Sequence, residues 1–186
     1  MKAQKIMLIR HAEKPASPTH THGVNRDGSK DDESLSVVGW QRAGALAAVM
    51  GNAPQMAAGL SLLRPQYLFA TGMKTSDDSK RPIQTLSPLA DKLGLIISMH
   101  YGKGAEAELA ASAVACNGVV LICWEHHLIP AIADALLGEP GISPPTWPGD
   151  RYDLTWVFDL DETGAYLFSQ MPQQLLAGDR TTVAAG

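Results

Sequence analysis

The sequence holds little cysteine, no excess of positive charge and no long apolar run, and each deficit narrows the function it can have. Two cysteines among 186 residues, Cys116 and Cys123, are too few for a disulfide framework. The expectation is therefore a reducing compartment, the cytoplasm, with Cys123 a buried thiol inside an apolar run. Fifteen basic residues against 19 acidic ones leave a net charge of −4. That argues against a nucleic-acid partner, because no basic excess exists to neutralise a phosphate backbone. Any anion site must be a local concentration of positive charge. The N-terminal apolar run is too short for a signal sequence or a membrane span, so no targeting segment and no membrane partner are expected. No internal repeat is visible.

What is present fits one domain of ordinary size. An apolar share of 45% and a charged share of 18% suit a chain that buries a core. Lys5–Ile9 (KIMLI) and Val119–Cys123 (VVLIC) read as buried strands, with further strands at Gln66–Ala70 and Leu95–Met99. Between them lie helical stretches. One runs from Val37 to Met50 behind an N-cap at Ser36, with Val37, Trp40, Ala43, Leu46, Ala47 and Met50 on a 3.6 period. A second, capped by Ser79, runs to Leu93 and is stopped by Gly94. Others cover Ala105–Ala115 and His127–Leu137. Leu154–Leu160 and Ala165–Ser169 flank the turn Asp161–Gly164 and read as a hairpin. Alternating strands and helices predict an α/β fold, a mostly parallel sheet covered on both faces, with the hairpin adding antiparallel strands. Residues 1–171 are expected as a single domain and 172–186 as a fraying tail.

Two of the apolar strands run into histidine. KIMLI leads to Arg10-His11, and VVLIC leads to Trp124-Glu125-His126-His127. In open α/β sheets ligands bind at the carboxyl ends of strands. The helix opening near Ser79 would bring Arg81 to the same edge, with the partial positive charge of its N-terminus. Arg10, Arg81, His11 and His126 together would suit a tetrahedral dianion. Arginine offers fixed donors to phosphate oxygens, and histidine serves as nucleophile or charged donor. The long polar stretch 15–34, the segment 71–78 and the proline-rich loop 139–149 would line the mouth. His20 and His22 alternate in a loop without further partners, which is a weak metal pattern. Trp124, Trp147 and Trp156 are expected to pack in the core or under loops.

Leu8–Pro15 (LIRHAEKP) closely resembles the Arg-His signature of the histidine phosphatase superfamily, the phosphoglycerate-mutase-like fold. Leu35–Ala47 (LSVVGWQRAGALA) resembles the helix that follows it in that family. Ser79–Leu95 (SKRPIQTLSPLADKLGL) resembles its Arg-x-x-Gln-Thr helix, and VVLICWEHHLIPAIADALLG its later strand, histidine and helix. All four occur in the family's order. The resemblance implies a three-layer α/β/α sandwich and a phosphomonoester phosphatase acting on a small phosphorylated substrate. His11 would become a phosphohistidine, with Arg10, Arg81 and His126 gripping the phosphoryl oxygens and His127 the alternative second histidine. Glu125 would be the general acid, with Glu13, Glu106 and Glu108 as other candidates. No metal and no cofactor are implied. A phosphomutase, a phosphohistidine-protein phosphatase and a non-catalytic phospholigand-binding protein are the competing readings.

Overall fold

Continuous apolar strands demand cover on both sides, because successive side chains point to opposite faces. The computed structural model describes residues 2–15, 22–54, 62–73 and 78–184. Its elements run β1 (Lys5–Arg10), α1 (Val37–Asn52), β2 (Tyr67–Ala70), α2 (Arg81–Leu93), β3 (Ile97–Ser98), α3 (Glu106–Ala115), β4 (Val119–Trp124), α4 (Ile129–Leu137), β5 (Leu154–Leu160) and β6 (Tyr166–Pro172). The strands form one sheet in the order β3-β2-β4-β1-β5-β6. The first four are mutually parallel, β5 is antiparallel to β1, and β6 is antiparallel to β5.

The two faces divide the apolar runs by alternation. Ile6, Leu8, Val120, Ile122, Trp124, Trp156 and Phe158 pack with Leu109, Ala113, Ile132 and Leu136 from α3 and α4. Met7, Ile9, Leu121, Cys123 and Val157 pack with Leu46, Met50, Leu86 and Leu89 from α1 and α2. The expected three-layer α/β/α sandwich is thus the observed one. No helix of the described residues is long and apolar enough to cross a membrane.

This arrangement fixes where a ligand can sit. Strands β1 and β4 are neighbours in register, Arg10 opposite Trp124. The chain leaving β1 goes to α1 on one face, and the chain leaving β4 goes to α4 on the other. Divergence of the two connections opens a crevice beyond their carboxyl ends. Strand β5 runs the other way beside β1, with Thr155 opposite Ile9, so the residues entering β5 arrive at that same edge.

Several boundaries differ from the sequence reading. Ser36 does cap α1, accepting from Gly39 N at 3.1 Å. Val37 is exposed, and the buried stripe is instead Gly39, Arg42, Ala43, Leu46, Ala47 and Met50. Ser79 is not the cap of α2. Lys80 holds that position without a side-chain bond, and Ser79 Oγ accepts from Arg81 N at 3.4 Å. Strand β3 shrinks to two residues because it is an edge strand paired with β2 alone, and Ile96 beside it is 91% exposed. The segment expected to fray is anchored over its described part. Gln173 N donates to Asp153 O at 2.7 Å, Arg151 Nη2 donates to Thr182 O at 2.8 Å, and Asp179 is buried against Arg42. Residues 185 and 186 lie outside the described residues.

Gly39 shows how closely α1 approaches the turn after β1. A methyl group there would lie 2.5 Å from Glu13 O and 3.1 Å from Glu13 N. Gly39→Ala must therefore displace the backbone two residues beyond His11. We expect a loss of about 2 kcal/mol in urea denaturation, the scale of an overpacked site. An unchanged midpoint would show that the turn yields without cost.

Candidate active site

The site is built on the end of β1. His11 is 6% exposed, and its backbone N–H donates to Trp124 O at 3.3 Å, which carries the parallel pairing one residue past the strands. Its Nδ1 lies 2.8 Å from Ala12 O. A carbonyl can only accept, so Nδ1 carries the hydrogen and donates it, leaving the Nε2 lone pair unprotonated. Burial pushes the imidazole down to about 3, against the bond to Ala12, and the charges of Arg10, Arg81 and His126 push the same way. The ring is therefore neutral at ordinary pH.

Arg10 is buried beside it. Nη1 donates to Gly149 O at 2.6 Å and Nη2 to Tyr152 Oη at 3.1 Å, while the guanidinium stacks 3.8 Å from the centre of the Tyr152 ring. Among the described residues Nε finds no partner. Burial lowers the guanidinium, opposed by Tyr152, Glu13 and Asp150. Stacking and two neutral acceptors hold the fork in place without cancelling its charge, so its remaining hydrogens can serve an anion. The Tyr152 ring also stands 6.0 Å from that of His11.

Arg81 opens α2 and acts on His11 as a nearby positive charge. Its guanidinium is oriented mainly by the loop before α1. Nε donates to Ser34 O at 3.2 Å, Nη2 to Asp32 O, and Nη1 to Ser79 Oγ at 3.3 Å. Glu33 pairs with it at 3.6 Å. Gln84 and Thr85 explain the rest of the Arg-x-x-Gln-Thr pattern. Gln84 bonds Leu35 N and Ser34 Oγ, and Thr85 Oγ1 accepts from Ala12 N at 2.8 Å.

The histidine pair after β4 separates into an inner and an outer ring. His126 is half-buried and acts electrostatically on His11, whereas His127 is exposed and stacks on His126 at 3.7 Å. Burial lowers His126 to about 4, helped by Arg10, His127 and Lys14. Glu125 turns to Lys103, at 2.6 Å, in a cavity of about 100 Å³ lined also by Thr71, Gly72, Asp78 and Ser79. The other carboxylates are engaged elsewhere or stand apart. Glu106 is buried and accepts from Trp124 Nε1 at 3.1 Å and from Gly104 N; Glu108 is exposed; Glu13 binds Arg42. His22 faces Asp32 at 3.9 Å on the surface, and His20 lies outside the described residues, as do 16–21 and 74–77 of the expected rim. No group of three or more His, Cys, Asp or Glu that could hold a metal occurs among the described residues.

Tyr152 escaped the sequence reading, and Gly149 entered it only as the end of the loop expected to line the mouth, because only the antiparallel placement of β5 brings them to Arg10. Arg42 did leave a signal. It lies three residues after Gly39 and four before Leu46 on the buried stripe of α1, a charge on an apolar face that requires a partner.

No family model matches the sequence, and no curated protein matches it. Solved structures do. The fold is that of the histidine phosphatases. A mycobacterial glucosyl-3-phosphoglycerate phosphatase complexed with VO3 is 15% identical, with 90% of this chain and 98% of that one covered and a TM-score of 0.55. A phosphoserine phosphatase from Entamoeba histolytica, a His-to-Ala variant bound to phosphoserine, is 13% identical over 92% and 98%, with a TM-score of 0.57. The protein histidine phosphatase SixA, complexed with tungstate, is 20% identical over 91% and 97%, with a TM-score of 0.52.

The lowered His11 makes stability depend on pH. An unfolded histidine titrates near 6.5, and the folded one near about 3. As pH falls through 6.5 the unfolded chain takes the proton first. The His11 contribution is thus fully present above that value and is lost progressively toward about 3. At about pH 4.5 the loss from His11 is on the order of 2 kcal/mol. Urea denaturation at neutral and acid pH should show His11→Gln losing less than wild type by that amount. Equal losses would show that His11 is not the group responsible.

Proposed function

We propose that the protein is a metal-independent phosphomonoester phosphatase working through a phosphohistidine on His11. The observation that carries this is the hydrogen bond from His11 Nδ1–H to Ala12 O, which leaves Nε2 unprotonated in a ring that feels the positive charges of Arg10 and Arg81. Nε2 attacks phosphorus, the bond to the leaving oxygen breaks, and the phosphoryl group passes to the ring. Arg10 and Arg81 hold the non-bridging oxygens, where charge collects in the transition state. His126 joins them as the third donor, because a bound dianion favours its protonated form. His126 takes this role over His127 because it is the inner of the two rings.

Glu125 is proposed as the donor of the proton to the leaving oxygen. It shares its cavity with Ser79, which also accepts from Arg81. Water then gives a proton to the Glu125 carboxylate as its oxygen attacks the phosphohistidine, the P–N bond breaks with its electron pair returning to Nε2, and inorganic phosphate leaves. The names of the similar structures support the substrate class. Two are named as phosphatases of phosphomonoesters, glucosyl-3-phosphoglycerate and phosphoserine, the third as a protein histidine phosphatase, and two were solved with VO3 or tungstate.

Hydrolysis of an activated aryl phosphate in EDTA tests the reading. Wild type should turn over and His11→Ala should not, while keeping its fold. Arg81→Ala should lose about tenfold to a hundredfold, the worth of one charge-assisted contact. An active His11→Ala enzyme would defeat the mechanism. Glu125→Gln separates its own role: as the acid, it should matter little for an aryl phosphate and cost about a hundredfold for an alkyl phosphate. Equal losses on both substrates would remove it from that role.

A further inference from the structure

We propose that Asp179, in the segment after β6, is a positioning residue for His11, acting through Arg42 and Glu13 on the peptide that holds the histidine ring. The kinetic side of this proposal rests on the phosphatase reading above, and the structural side does not.

The acceptor for His11 Nδ1 is Ala12 O. That carbonyl and Glu13 N belong to one planar peptide unit, which turns as a body. Its direction decides which ring nitrogen carries the hydrogen. Ala12 N is held by Thr85 Oγ1, and Glu13 O accepts from Ser36 N at 2.9 Å and Ser36 Oγ at 3.1 Å. The Glu13 side chain is held only by Arg42 among the described residues. Nε and Nη2 of Arg42 both donate to Glu13 Oε1, at 2.9 and 2.7 Å, and Glu13 Oε2 has no partner among the described residues.

Arg42 is itself aimed by the end of the chain. Its Nη2 donates to Asp179 Oδ1 at 2.7 Å and its Nη1 to Asp179 Oδ2 at 3.0 Å, with Gln173 Oε1 at 3.3 Å. Asp179 is fixed by Leu175 N and Leu176 N, at 2.7 and 3.1 Å. The side chains of Arg42 and Asp179 are 4% and 6% exposed. A planar fork gripped on both terminal nitrogens cannot rotate. Released from Asp179, it keeps one carboxylate oxygen and only the longer, neutral bond to Gln173 Oε1, so it can swing and Glu13 swings with it. The same three residues line a cavity of about 500 Å³ whose lining includes Tyr152, so the end of the chain shares a wall with the site.

The test compares Asp179→Asn with Asp161→Asn. Asp161 organises the β5–β6 turn at the opposite edge of the sheet, where it accepts from Thr163 N and Ala165 N. It therefore reports a loss of stability without the relay. Two readouts are taken: kcat and KM on an aryl phosphate, and the tautomer of His11 from two-bond ¹H–¹⁵N imidazole spectra. Wild type and Asp161→Asn should show His11 protonated at Nδ1 alone. Asp179→Asn should show mixed tautomers, with kcat down about tenfold and KM within about twofold, the scale of a misaligned nucleophile. If Asp179→Asn does not fold, Asp179→Glu, which keeps the charge and shifts it by one methylene, is judged by the same criteria. A single Nδ1–H tautomer in the folded Asp179 variant overturns the proposal whatever the turnover. If wild type itself has no turnover, the phosphatase reading fails and the tautomer alone decides the relay.

Discussion

The hydrogen bond from His11 Nδ1 to the carbonyl of the next residue is the contact on which the site depends. A histidine ring has two nitrogens and no intrinsic preference strong enough to make one of them a dedicated lone pair. Here the choice is made by a backbone carbonyl that cannot reorient, because Thr85 holds one side of it and Ser36 and Arg42 hold the other. Gly39 lets α1 come close enough to make those contacts. Much of what looks like ordinary helix packing therefore bears on one ring nitrogen.

The same constraint makes the surrounding positive charge tolerable. Burial and the neighbouring cations both favour the neutral imidazole, so His11 does not add a further charge to the cluster. Arg10 is held in a buried position by direct contacts that are neutral, a backbone carbonyl, a phenol and the face of its ring, while Glu13 and Asp150 favour its charge without bonding to it. Arg81 is held largely by backbone carbonyls of the loop before α1. The one carboxylate paired with Arg81 among the described residues, Glu33, is half-exposed and stands 3.6 Å away, so solvent screens it and much of the charge stays available to a ligand. Where the chain does pair a buried arginine fully with carboxylates, at Arg42, the charge is spent on holding the backbone.

Placement of the cluster follows from the strand order. β1 and β4 are separated by more than a hundred residues, yet they are neighbours, and their last residues are in register. Apolar alternation explains why both must be central: each offers residues to both faces. Once they are central and parallel, Arg10-His11 and Glu125-His126 have to emerge side by side. The antiparallel entry of β5 then closes the site with Gly149 and Tyr152 over Arg10.

The sequence by itself determined the layers and most of the elements. Periodicity and run length are local properties, and KIMLI, VVLIC and the α1 stripe carry them plainly. It also pointed to Arg10, His11, Arg81 and one of His126 and His127 at one edge, because they end or closely follow a strand or open a helix. It did not separate His126 from His127, which differ only in how the chain turns after β4. Nor did it show that Glu125 faces Lys103, that Tyr152 stacks on Arg10, or that the last residues are anchored. Those contacts join positions far apart in the chain, and their partners are chosen by sheet register and by the approach of packed elements. Only the tertiary structure decided them, because a buried charge announces that it needs a partner without saying which distant residue will supply it.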